Sequence, residues 1–149
     1  MLQIRIFVVA VLVASALVLL PGSATANTRS SMLAQINAAR AGSGVHALRG
    51  STSLNSSAAR YARYLMRRGY FGHASRIRAS SRFRVLGEVL EMHSGSGPQV
   101  GSTLQAWLNS PGHRDVLMSG RFFWIGLGKA TGRFHGRTST IWVGQLGRQ

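Results

Sequence analysis

An apolar run from Ile6 to Leu20 (IFVVAVLVASALVLL) stands between Arg5 and the breaking triplet Pro21-Gly22-Ser23, and it sets the start of the chain apart from the part that must build a core. A positive start, an apolar stretch and the small-x-small triplet Ala24-Thr25-Ala26 together have the form of a secretory signal peptide cleaved after Ala26. A retained anchor is the competing reading, but a span needs about 20 apolar residues and this run is shorter. The expectation is a signal peptide over 1–26 and one domain over 27–149. That domain is expected to be secreted, extracellular or at the cell envelope, with no permanent membrane span after cleavage.

The remaining length suits a single domain with one core. The chain has no cysteine, so an exported domain of this kind folds on packing alone, without the disulfides that small secreted scaffolds often use, and cysteine-type structural zinc sites are excluded. Its charge is lopsided, with 18 Lys+Arg, all but one of them arginine, against 3 Asp+Glu. Such a balance fits a base-rich genome that favours arginine codons, together with selection for solubility, as well as it fits attraction to anionic polymers at a cell envelope. The cations are scattered and no nucleic-acid-binding motif occurs, so nucleic acid is not the expected partner. Glu88, Glu91 and Asp115 are the only carboxylate side chains, which makes their placement informative.

Ser30 and Ser31 are placed to cap a helix with apolar positions Met32, Leu33, Ile36 and Ala39, ended by Gly42 and Gly44. A second helix from about Leu54 carries the stripe Leu54, Ala58, Ala62 and Leu65, with Arg60, Arg63 and Arg67 turned to the other side, until Gly69. The polar, basic stretch 74–84 reads as a connector, Val85 to Leu90 as a strand entering Glu91, and Gly95 to Pro98 as a loop. Val100, Leu104, Trp107 and Leu108 mark a third helix. Ser110-Pro111 has the order of a helix start, with serine as cap and Asp115 in the first turn. Phe122 to Lys129 and Ser139 to Leu146 are β-type runs expected to form an antiparallel hairpin with a longer loop. Helices flank strands without strict alternation, so the expected class is α+β.

Three segments carry polar residues that packing does not require: Tyr70-Phe71-Gly72-His73-Ala74-Ser75, Leu86-Gly87-Glu88-Val89, and Trp107-Leu108-Asn109-Ser110-Pro111-Gly112-His113-Arg114. Together with Ile36-Asn37-Ala38-Ala39-Arg40, Leu54 to Met66, Ile125-Gly126-Leu127-Gly128 and Trp142-Val143, they make seven segments in an order that resembles the CAP superfamily. These are the cysteine-rich secretory, antigen 5 and pathogenesis-related (SCP-like) domains, and the likeness is greatest to short, cysteine-free bacterial members. The resemblance implies a three-layer α-β-α sandwich with a central, mostly antiparallel sheet, and a cleft of two histidines and two glutamates that binds a divalent metal in relatives. Matched by motif, His73 and His113 are the histidines and Glu88 the first glutamate. The second glutamate position is Ser110 here, and Val89 replaces the asparagine that usually follows the first, so metal is expected to bind weakly if at all.

The residues themselves support the cluster. Two histidines and a carboxylate are a recognised zinc ligand set, so His73, His113 and Glu88 are the candidate metal ligands. A metal-free network, in which Glu88 fixes the histidine tautomers, fits the same residues. Tyr70 and Ser110 complete the expected cleft, with Phe71 beside Tyr70 on one wall. Glu91 and His93 could extend the cleft rim, but alternation puts Glu91 on the opposite face of the strand from Glu88, so it is expected to meet an arginine at the surface. His46 and His135 are expected in solvated loops, and Trp107, Trp124 and Trp142 in the core or cleft wall. Ser75 and Ser110 lie near histidines in sequence, but there is no Gly-x-Ser-x-Gly elbow, and the metallopeptidase motif is missing. No catalytic residue is assigned. The leading expectation is a monomeric, secreted, non-enzymatic binding module for a lipid or an anionic cell-envelope polymer. The alternative is a metal-assisted hydrolase using Glu88 with His73 and His113.

Overall fold

The computed structural model describes residues 21–149, with side chains from residue 24 onward. The apolar run 6–20 lies outside the described residues, whereas Pro21 to Ala26 form the beginning of helix α1 (Pro21–Gly42). The helix start expected at Ser30-Ser31 is therefore corrected to Pro21. Proline suits a first helical turn, and nothing from Ser23 to Ala41 interrupts helical propagation. Thr28 adds a hydroxyl bond to the Ala24 carbonyl at 2.8 Å. Among the described residues no helix is long and apolar enough to cross a membrane.

After α1 come β1 (Arg49–Gly50), α2 (Thr52–Arg68), β2 (Val85–Ser94), α3 (Val100–Asn109), α4 (Pro111–Leu117), β3 (Trp124–Phe134) and β4 (Arg137–Arg148). The class is α+β. One mixed sheet has the order β1-β3-β4-β2, with β1 parallel to β3 and the other pairs antiparallel. Strand β2 is thus an edge strand, which exposes one flank of Glu88's strand to the surrounding loops and helices. Strand β1 has only two residues, both exposed, too little pattern to be read in advance.

Alternation along the strands sends side chains to two faces. One face carries Val89, Ile125, Leu127, Trp142 and Leu146 against Met32 and Ile36 of α1, Trp107 of α3 and Leu117 of α4. The other carries Leu90, Ala130, Ile141 and Val143 against Ala58, Ala62 and Leu65 of α2. Helix α2 lies very close to the sheet. A Cβ placed on Gly126 would stand 2.0 Å from the Leu54 carbonyl carbon, and one on Gly128 would stand 2.2 Å from Ala59 N. The two glycines of the Ile-Gly-Leu-Gly segment are there because no side chain fits beneath this helix.

The expected longer hairpin loop is replaced by a two-residue turn. Strands β3 and β4 run on to the pair Phe134–Arg137, and His135 (φ 47°) and Gly136 (φ 82°) both adopt left-handed backbone. That conformation matches the twist of adjoining antiparallel strands. The exposed arginines at the strand tips hid the alternation. The 74–84 connector is irregular, as expected, although Phe83 within it is buried and packs over Gly147.

Candidate functional site

Helix α2 fixes where the first histidine falls. Ser51 caps it by accepting from Leu54 N, and Gly69 ends it with left-handed backbone. The chain then turns across the end of β2. Tyr61 on α2 donates its hydroxyl to the Gly72 carbonyl at 2.7 Å, which holds the turn that presents His73. Burial first, and then the negative charge of Glu88, push the Tyr61 phenol up to about 12, so it remains a donor.

Glu88 sits behind His73. One oxygen, Oε1, accepts from Ala74 N at 2.9 Å and from His73 Nδ1 at 3.2 Å, while Oε2 accepts from Gln145 Nε2 at 2.8 Å. Gln145 is the cross-strand partner of Glu88 on β4. The Glu88 side chain is 5% exposed and that of His73 is 56% exposed, so the carboxylate is enclosed while the imidazole faces the cleft. Bonding through Nδ1 leaves His73 Nε2 directed away from Glu88.

His113 approaches from the other layer, carried by α4 around the β2 edge. Its ring centroid lies 5.7 Å from that of His73, with the planes tilted by 59°. Its Nδ1 is buried and has no partner among the described residues. Burial, reinforced by the neighbouring His73, lowers its pKa, and Glu91 opposes the shift. The pair is therefore biased toward neutral His113.

The remaining expectations separate. Tyr70 is exposed and lines a cavity of about 540 Å³ together with His73 and Gln145. Phe71 is exposed and does not line it. Ser110 joins α3 to α4, half-buried. Its N–H returns to the Ala106 and Trp107 carbonyls, and its hydroxyl makes no capping bond, so the expected side-chain cap is corrected to a backbone junction. Among the described residues no bond joins Ser75 or Ser110 to a histidine. Asp115 lies beyond the first turn of α4, exposed, and forms no ion pair with Arg114 or Arg121 among the described residues. Among the described residues Glu91 does not meet a surface arginine either. It is half-buried on the face of β2 where its charge acts on His113. His46 and His135 are exposed, and each reaches a distant carbonyl, Gly120 at 3.1 Å and Gly69 at 2.7 Å. Trp107 and Trp142 are fully buried, and Trp124 is partly so. Gln145, which bonds Glu88 and lines the cavity, is the site residue that sequence reading missed; its signal was a lone amide inside the apolar run Trp142 to Leu146.

Among the described residues no group of three or more His, Asp or Glu side chains is arranged to hold a metal ion. Both oxygens of Glu88 are already engaged by protein donors. What the site offers a cation is a pair, His73 and His113, with Glu88 orienting the first from behind. That pair falls short of the three or four protein ligands usual for zinc, so a divalent ion held here would need water for the rest of its coordination, with Glu88 as a partner of its ligand.

The CAP family, described as the cysteine-rich secretory protein family, matches residues 33–146. No curated protein matches the chain by sequence. Among solved structures, an outer surface protein from Borrelia burgdorferi shares 21% identity at a TM-score of 0.67, covering 84% of this chain and 95% of that one. An extracellular SCP-domain protein from Bacillus anthracis shares 18% identity at a TM-score of 0.66, covering 90% of this chain and 45% of that one. Venom allergen-like protein 4 from Schistosoma mansoni shares 13% identity at a TM-score of 0.53, covering 88% and 92%. At these identities the likeness is one of fold.

Proposed function

This chain belongs to the cysteine-rich secretory protein (CAP) family, and on that premise we propose that it is a secreted, non-enzymatic binding module. In this reading its His73–His113 cleft takes a divalent metal such as zinc weakly, and its basic surface engages an anionic polymer of the cell envelope. A lipid is the second ligand class. Placement outside the cytoplasm is supported by the apolar run 6–20 with its small-x-small site, and by neighbours described as an outer surface protein and an extracellular protein.

The observation that carries the non-enzymatic reading is the engagement of Glu88. A general base for hydrolysis must bring an oxygen within hydrogen-bond reach of the attacking water. Here Ala74, His73 and Gln145 fill most of the carboxylate's acceptor capacity, and the side chain is enclosed at 5% exposure. The same bonds suit Glu88 to a positioning role, holding His73 so that Nε2 faces the cleft. A bound cation would supply a positive centre that polarises a ligand's oxygen atoms.

Zinc calorimetry with an ester and peptide hydrolysis panel tests this. Weak zinc binding is expected, abolished by His73→Ala or His113→Ala and reduced about 10-fold or more by Glu88→Gln. No zinc binding by wild type, with the same substitutions only lowering stability, would make the cluster a structural network. Hydrolysis removed both by a chelator and by Glu88→Gln would establish the hydrolase instead.

A further inference from the structure

The cavity beside His73 has a lining that the histidine cluster does not use. Arg60 and Arg67 come from α2, and Arg76 and Arg78 from the connector that follows it. In sequence the four are scattered; in the fold they face one volume of about 540 Å³, within the range of small-ligand sites. Glu88 is the one carboxylate nearby, and its oxygens are committed to Ala74, His73 and Gln145. Among the described residues none of the four arginines forms an ion pair. Concentrated positive charge in a concave, partly low-dielectric wall attracts anions more strongly than the same charges spread over a convex surface.

The wall is held in place before any ligand arrives. Arg60 Nη2 donates to the Arg78 carbonyl at 2.9 Å, Ser80 N donates to Ser53 Oγ at 2.9 Å, and Tyr61 donates to Gly72. These bonds fasten the connector along α2 and spare a ligand the cost of ordering it. The aromatic contribution is of a particular kind. Tyr61 and Tyr64 stack on each other with centroids 5.9 Å apart, and Arg68 lies over Tyr64, so neither ring offers two open faces. Tyr70, 52% exposed, presents one ring to the cavity. Four guanidinium groups with hydroxyl edges and a single open ring suit a chain of charged, hydroxyl-rich sugar rings better than a stack of bases.

We propose that the Arg60/Arg67/Arg76/Arg78 cavity binds a short segment of an anionic glycan, its acidic groups on the arginines and a sugar ring on Tyr70. This rests on the reading of the chain as an extracellular module for anionic polymers, and gives that reading one location.

The test is calorimetry of the purified protein with hexagalacturonate, linear polyphosphate, oligodeoxythymidine and phosphatidylglycerol vesicles as probes. Hexagalacturonate is expected to bind and to weaken as salt rises. Arg67→Gln with Arg76→Gln should reduce affinity about tenfold or more, as expected when charge-assisted bonds are removed. The charge-matched pair Arg121→Gln with Arg133→Gln, at exposed sites outside the cavity, should leave it nearly unchanged. Tyr70→Leu should weaken hexagalacturonate by about threefold and leave polyphosphate unaffected. Equal losses in both arginine pairs would overturn the cavity while leaving a diffuse anion-binding surface intact. Absence of binding to every polyanion would overturn the cavity and the broader reading together. Tighter binding of oligodeoxythymidine or vesicles, lost with Arg67 and Arg76, would assign the cavity to nucleic acid or lipid and overturn the glycan.

Discussion

The two faces of the sheet are built on opposite principles. Toward α1, α3 and α4 the sheet presents bulk, with Trp142 and Trp107 filling the space between layers that stand apart. Toward α2 it presents absence, with Gly126 and Gly128 letting the helix backbone come down onto the strands. The first face is stabilised by volume filled and the second by close approach. The difference also explains where the proposed ligand site lies. Because α2 sits so close, its outer residues and the connector behind it form a shallow wall that leads directly to Glu88 and His73. The thick face contributes a single group, His113, brought around the β2 edge.

The comparison can be broken at its thickest point first. Trp142 is fully buried and donates its indole N–H to the Pro98 carbonyl at 2.7 Å, so Trp142→Ala removes both volume and a bond. It should cost about 3–5 kcal/mol and lower Tm by roughly 10 °C or more. Retention of wild-type Tm would mean that the thick face does not depend on filled volume.

On the thin face Gly128→Ala inserts one methyl against helix backbone, 2.2 Å from Ala59 N. Overpacking of this kind should cost about 1–3 kcal/mol or more. Gly132→Ala meets only the flexible Met66 side chain at 3.1 Å and should cost less than about 1 kcal/mol. Equal losses in denaturant titrations of the two variants would show that α2 has freedom to move, and the contrast between the faces would fail.

A smaller effect belongs to the edge where the faces meet. His113 has its pKa lowered in the fold from the ordinary value of 6.5 by burial, with His73 adding to the shift and Glu91 opposing it. Above that value both folded and unfolded chains hold it neutral. As pH falls from there through the lowered folded value, the unfolded chain takes up the proton first, and stability is lost. His113→Gln should therefore flatten the decline in stability below about pH 6.5 relative to wild type, measured by urea midpoints. A parallel decline in the two proteins would contradict the burial of His113.

Sequence carried much of this, but unevenly. The paired layers, the α2 stripe and its Gly69 stop were legible because apolar spacing dictates them. His73, Glu88 and His113 were legible because each stands in a short polar segment that packing does not demand. Gln145 was not, since a single amide within an apolar strand gives no hint of which carboxylate it faces until register places it opposite Glu88. The arginine cavity was invisible for a similar reason. Arg60 and Arg67 recur on one helix, but Arg76 and Arg78 join them only through the path of an irregular connector. Glu91 was misjudged because strand alternation gave its face correctly, while the neighbour on that face, His113, arrives from a distant helix.

The central claim is that Glu88 orients His73 from behind, so that His73 and the neighbouring His113, and not the carboxylate, are the groups a cation would meet. Side-chain nitrogen NMR of the protein during a zinc titration tests it most directly. The account predicts that His73 Nδ1 keeps its proton toward Glu88 while His73 Nε2 and one ring nitrogen of His113 shift together as zinc is added. Loss of the Nδ1 proton to zinc, or histidine signals that do not respond to zinc at all, would contradict it.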